Sequence, residues 1–168
     1  MVGLADATGT NLERNTDANG MNGLHQRSEF GTRQGEKSQE PLRLRVLLAD
    51  QASDICQRLR TLLQQLPYVE VVGDAHTDQE VLNLAFQLRP NVVIVSISLP
   101  DKGGFEILRR IQRTLPGCAV ILTSCSRDGS LQNAARLLGA AGVFSVTDGI
   151  AQIGGLIQSL LDQFGRDA

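Results

Sequence analysis

Residues 42–165 predict a doubly wound α/β domain, a (βα)5 parallel sheet covered by helices on both faces. Three observations carry this. Five short β-type runs alternate with five stretches of helical period. The third run, NVVIVSISLP (91–100), is nearly continuous Val and Ile, as a strand buried on both faces requires. Pro67, Pro90 and Gly139 stand where three of the helices must stop.

The first strand is RLRVLLAD (43–50). Ser53 is expected to cap a helix with Ile55, Leu59, Leu62, Leu63 and Leu66 on one face, closed by Pro67. VEVVG (69–73) is the second strand. Thr77 and Glu80 have capping-box spacing, and the helix they open turns Val81, Leu82, Leu84, Ala85 and Leu88 inward. After the third strand, a helix over roughly 103–114 carries Phe105, Ile107, Leu108 and Ile111. CAVILT (118–123) follows as the fourth strand, and Ser126 is expected to cap a helix with Leu131, Ala134, Ala135 and Leu138 inward. GVFSV (142–146) is the fifth strand. The last helix, about 149–164, has Ile150, Ile153, Leu156, Ile157, Leu160, Leu161 and Phe164 as its apolar stripe. Gly154 and Gly155 inside it each cost about 1 kcal/mol relative to Ala, so packing must hold it.

Residues 1–41 read differently. Gly, Asn, Thr, Asp, Gln and Ser dominate, and apolar residues lack period. Such a segment cannot bury enough surface to offset its ordering entropy, so a disordered tail is expected, closed by Pro41. An appended stretch or a start at Met21 are both open as its origin, and residues 166–168 are a short C-terminal end.

Composition narrows function. Hydrophobic residues make up 42% and charged residues 20% of the chain, an ordinary globular balance. The tail holds the chain's net charge of −2, and residues 42–168 carry twelve acids and twelve bases. A neutral domain without Trp and with one Tyr has neither the electrostatic footprint nor the stacking platform for nucleic acid. Arg109, Arg110 and Arg113 read as a solvated helix face. Cys56, Cys118 and Cys125 are odd in number and lack CxxC spacing, which argues for reduced thiols, no zinc site and a cytoplasmic protein. No run is long enough to span a membrane.

Parallel sheets of this kind bind ligands at the carboxyl ends of their strands. The sequence delivers Asp50 and Gln51 there from strand one, Ser96 and the Ser98 carbonyl from strand three, Thr123 and Ser124 from strand four, and Val146 from strand five. One carboxylate, an amide and hydroxyls make a poor Mg²⁺ site, and a serine nucleophile would lack a general base. Asp50 is expected to accept backbone N–H groups in the turn before the first helix, and Thr123 to bond backbone. Cys125 reads as a buried thiol and His76 as a surface residue. No cofactor, no metal and no catalysis are expected.

The motifs RVLLAD, YVEVVGDA, LRPNVVIV, AVILT and LLGAAGVF, with the Pro100 and Gly104 spacing, resemble a bacterial response-regulator receiver domain of the LuxR/NarL type over nearly all of 43–164. The resemblance implies the CheY-like, flavodoxin-like sheet with strand order 2-1-3-4-5. In that family an acidic pair after strand one and a phosphoacceptor Asp ending strand three hold Mg²⁺, while a Thr or Ser and a Lys coordinate the phosphoryl group. By this resemblance Asp50 matches the first acid and Thr123 the hydroxyl. Gln51 replaces the second acid, Ser96 the phosphoacceptor and Val146 the Lys, leaving a vestigial phosphorylation pocket. Val143 stands where a switching aromatic often sits.

The leading expectation is therefore a pseudo-receiver, a signalling module that binds a protein partner or forms a homodimer without phosphorylation. The resemblance places such contacts on helix four, strand five and helix five, or on helices one and five. Leu131, Leu138, Val143, Ile150, Ile153, Ile157 and Leu160 are its candidate residues here. A phosphorelay receiver with unusual residues and a small anionic-ligand binder are the alternatives. Relatives often carry an output domain after the receiver, a helix-turn-helix or an ATPase in pilus-assembly proteins of the TadZ/CpaE type. This chain is expected to be a regulatory piece of such a protein or a stand-alone module, with no nucleic-acid or membrane partner of its own.

Overall fold

The computed structural model describes residues 41–167, apart from the side chain of Ile150. The expectation of a disordered tail falls, but for Pro41, outside the described residues. Residues 41 onward form one unit.

The strands are β1 (Leu44–Ala49), β2 (Val69–Ala75), β3 (Val92–Ser96), β4 (Ala119–Ser124) and β5 (Gly142–Ser145). The helices between and after them are α1 (Ser53–Leu63), α2 (Asp78–Leu88), α3 (Gly103–Thr114), α4 (Gly129–Leu137) and α5 (Ile150–Asp167). All pairings are parallel, and the order is β2-β1-β3-β4-β5. The register of β1 on β2 shifts between Val46 and Leu47, where β2 carries an extra residue, Val72.

The near-continuous Val/Ile strands have a simple cause: successive side chains alternate between two separate cores. Leu47, Val93, Val95, Val120 and Leu122 pack with Val81, Ala85, Ile107, Leu108, Ile111 and Ala135 of α2, α3 and α4. Val46, Leu48, Val92, Ile94, Ile121 and Phe144 pack with Cys56, Leu59 and Leu63 of α1 and with Ile153, Ile157 and Leu160 of α5. Each such side chain contributes about 1.5–3 kcal/mol when fully buried.

That packing corrects the expected interaction surface. Ile153 and Ile157 are 0% exposed and Leu160 is 6%, so these three fill the core and cannot meet a partner. Leu138 and Val143 are half-buried against the opposite core and keep an exposed part, and Leu131 is also half-buried. The side chain of Ile150 lies outside the described residues.

Two helix starts also differ from expectation. Ser53 is already helical; Ala52 is the cap residue and makes no side-chain cap bond. Asp128, not Ser126, caps α4 by accepting from Ser130 N. Ser126 Oγ instead accepts from Asp128 N at 3.3 Å, and Asp50 accepts from Ala52 N just ahead of α1. Leu66 lies beyond the end of α1, half-buried against the core.

Candidate functional site

The sheet register builds the crevice. Ala49 pairs with Val95, Ser96 with Thr123, and Thr123 with Phe144, which brings Asp50, Ser96 and Thr123 to one rim, flanked by Val146 just after β5. Gln51 is exposed beside Asp50.

Asp50 is tied down on every side. Its Oδ1 accepts from Ala52 N at 2.9 Å, closing the turn into α1, and its own N–H donates to the Ala75 carbonyl at 3.1 Å. Its carbonyl accepts from Cys56 Sγ at 3.7 Å and lies 2.9 Å from Nδ1 of His76. A carbonyl can only accept, so Nδ1 of His76 carries the proton. His76 is thus no bystander: it is half-buried and braces the loop that presents Asp50. The capping box of α2 holds it there. Thr77 Oγ1 accepts from Glu80 N at 3.2 Å, while Glu80 Oε2 accepts from His76 N at 2.7 Å, one residue earlier than the usual reciprocal bond.

Ser96 is 7% exposed, and its Oγ accepts from Ser98 N at 3.2 Å, a local turn that engages the hydroxyl. Gly104 passes so close that a Cβ there would stand 2.5 Å from the Ser96 carbonyl oxygen. The Thr123 backbone carbonyl accepts from Ile97 N at 3.0 Å. Thr123 itself is 1% exposed and sits within the sheet rather than open to solvent. Ser124 Oγ accepts from Ser126 N at 3.0 Å, and Val146 N donates to the Ser124 carbonyl at 3.1 Å.

Two further residues shape the rim. Arg127, in the β4–α4 loop, pairs with the carboxylate of Asp148 in the β5–α5 loop, and Asp148 Oδ2 also accepts from Ser145 N at 3.3 Å. Sequence reading had no means of pairing residues twenty-one positions apart, though an acid directly behind a short apolar strand was a signal. Beneath the Asp50 loop, Arg60 pairs with Asp74 at 2.6 Å.

The thiols separate by environment. Burial pushes Cys56 up to about 11, helped by the Asp74 carboxylate, and burial alone pushes Cys118 up to about 11. Cys125 is exposed, against the expectation of a buried thiol, because β4 ends one residue before it. Among the described residues, no three His, Cys, Asp or Glu side chains gather as a metal cluster. None of their helices is long and apolar enough to cross a membrane.

A five-stranded parallel sheet in this order, with polar residues gathered at the strand carboxyl ends, defines a flavodoxin-like domain of the CheY type. The chain belongs to the response regulator receiver domain family, whose model matches residues 46–146. It is 27% identical over 110 residues to the response regulator GacA of Pseudomonas viridiflava, covering 66% of this chain and 51% of that one. It is 34% identical over 95 residues to a protein-glutamate methylesterase/protein-glutamine glutaminase of Symbiobacterium thermophilum, covering 56% of this chain and 26% of that one. The chain thus spans about half or less of these curated relatives. The non-phosphorylated receiver domain of RcsB from Escherichia coli superposes with a TM-score of 0.67 at 22% identity, covering 72% of this chain and 95% of that one. The signal receiver domain of NarL from Mycobacterium tuberculosis gives 0.64 at 21% identity, covering 73% and 96%. The domain is a receiver of two-component signalling.

Proposed function

We propose that this receiver signals without phosphorylation, as a non-catalytic module that works by protein–protein contact. The observation that carries the reading is Ser96, standing engaged in a local turn where the family's phosphoacceptor carboxylate belongs. The rest of the rim agrees with it. The donor set does not suit Mg²⁺, which wants octahedral oxygen ligands that include carboxylates: Asp50 spends one oxygen on Ala52 N, and Gln51 offers a neutral amide. Val146 is apolar and 9% exposed, so no cation stands where the family places its Lys. With neither ionised nucleophile nor counter-charge, phosphoryl transfer has no stabilised transition state.

The contact surface we assign is α4 with β5. Leu137 is 87% exposed, and Leu131, Leu138 and Val143 of the same two elements are partly exposed. A cleft of about 290 Å³ beside them is lined by Gln132, Arg136, Val143 and Gln152. An exposed Leu on this helix is suited to a second copy or to a protein partner. The module would then serve as the regulatory part of a larger signalling or TadZ/CpaE-like pilus-assembly protein.

Amide NMR of the full chain during addition of Mg²⁺ and then beryllofluoride tests the crevice. Unmoved resonances of Asp50, Ser96 and Thr123 at millimolar Mg²⁺ are expected. Saturable shifts that spread from them to α4 and β5 would revive a phosphorylation-responsive receiver. Shifts confined to Thr123 would favour a small anionic ligand instead. For the surface, sedimentation of wild type and Leu137→Glu reads self-association directly.

A further inference from the structure

A different face of the domain carries its own signal. α2 and α3 pack side by side, and the groove between them, about 390 Å³, is lined by Leu82, Asn83, Phe86, Gln87, Arg110 and Thr114. Phe86 is 60% exposed at its edge, with the Arg89 guanidinium 4.8 Å from the ring centroid. A second cleft, of about 250 Å³, shares Thr114 and runs on past Arg89, Pro90 and Pro116. From Leu82 to Arg89 the groove follows α2 for about 10 Å, two helical turns.

Its charge is one-sided. Arg110 lines it and Arg89 lines the cleft that continues it, with Arg109 and Arg113 on the neighbouring exposed face of α3; Glu106 is the acid among them, 3.4 Å from Arg110. The other residues from 42 to 168 carry eight bases and eleven acids. The positive charge of a neutral domain is therefore concentrated on the last turns of α2 and α3. Arg89 and Arg113 are exposed, as is Arg109, so none of the three is needed to hold the fold.

We infer that the α2–α3 groove is a docking site for an acidic amphipathic protein segment. Its apolar residues would seat against Leu82 and Phe86, and its carboxylates would pair with the arginine rim. The apolar floor favours a protein segment over nucleic acid, whose phosphates would use the arginines but leave Leu82 and the Phe86 edge uncovered. Aromatic and arginine side chains at a groove are the usual anchors of such contacts. The inference stands apart from the crevice and from the α4–β5 surface, and it holds whether or not Ser96 is inert.

The test uses the full chain, ¹⁵N-labelled, and a synthetic amphipathic peptide about four helical turns long, with Leu on one face flanked by Glu. Saturable shifts confined to Leu82, Asn83, Phe86, Arg110 and Thr114 are expected, with binding that weakens as salt rises. Phe86→Ala and Arg89→Glu should each weaken binding about tenfold or more. Both substituted side chains are exposed, so the fold is retained and unchanged thermal unfolding verifies it. The same peptide with Lys for Glu should not bind. No saturable shift, shifts that map to α4 and β5, or equal binding of the Lys peptide would each overturn the assignment. So would a single-stranded oligonucleotide that saturates the same amides more tightly.

Discussion

Arg127 reaches from the loop after β4 to Asp148 in the loop after β5, and the two partners differ sharply in burial: 69% of the arginine side chain is exposed against 8% of the aspartate. The pair fastens together the two loops that border Thr123 and Val146. Its members should not be equivalent. Asp148→Ala strips the Ser145 N–H of its acceptor inside the rim and should cost about 1–3 kcal/mol. Arg127→Ala removes a mostly solvated partner and should cost less than about 1 kcal/mol. Urea unfolding of the two variants measures both, and equal losses would contradict the assigned burial.

Restoring chemistry to the crevice should require more than one residue. Ser96→Asp places a second carboxylate beside Asp50 without a counter-charge and should lower stability by about 1–3 kcal/mol, with no labelling by acetyl phosphate. Adding Gln51→Asp should create Mg²⁺ affinity, read as a melting temperature that rises with millimolar Mg²⁺. Adding Val146→Lys as well should be needed for covalent labelling of residue 96. Labelling of the first variant alone would mean that the remaining groups suffice.

The thiols predict a pH dependence. Cys56 and Cys118 hold their protons up to about 11 in the folded chain, against 9.0 for the ordinary thiol. Their stabilising contribution is full below pH 9, because neither state is ionised there. It should fade between pH 9 and about 11, where the unfolded chain releases protons that the folded one keeps. At pH 8 only about one in a thousand of these buried thiols is ionised, so an aromatic disulfide reagent should titrate Cys125 alone. Cys56 and Cys118 should react once urea unfolds the chain.

Two glycines should respond in opposite directions to alanine. Gly104→Ala drives a methyl group to 2.5 Å from the Ser96 carbonyl oxygen, and backbone must move to relieve it. A loss of about 2 kcal/mol or more is expected, with amide shifts at Ser96 and Ile97. Gly155 lies in the interior of α5 with nothing within 4 Å of an added Cβ. Gly155→Ala should stabilise by about 0.5–1 kcal/mol through helix propensity.

The fold was legible because its strands are written in Val and Ile and its helices in a clean apolar period. The rim of the crevice was legible to the same extent, since locating the strand ends suffices to bring Asp50, Ser96, Thr123 and Val146 together, and the register does so. What escaped had definite causes. The apolar stripe of α5 looks the same in sequence whether a partner or the sheet covers it; the sheet does, through Ile153, Ile157 and Leu160. Leu137 was passed over because it falls off the inward period of α4, and that same offset is what exposes it. The caps moved because Ser53 is itself helical and Ser126 accepts from Asp128 N, which leaves Asp128 to cap α4. His76 on the Asp50 carbonyl and Arg127 on Asp148 join residues far apart in the chain, which periodicity does not encode.

The strand order has a consequence for self-recognition. Its two open borders are β2 and β5, the strands worst suited to recruiting a further strand from another molecule. β5 is four residues long, too short to template much pairing. β2 is longer, but it carries Glu70 and Asp74 and is kinked by its extra residue opposite Val46 and Leu47. The strongly apolar β1, β3 and β4 are enclosed between them and present no unpaired ladder to solvent. A domain that leaves Phe86 and Leu137 exposed thus keeps its backbone out of reach, which guards it against the edge-to-edge growth that leads to fibres.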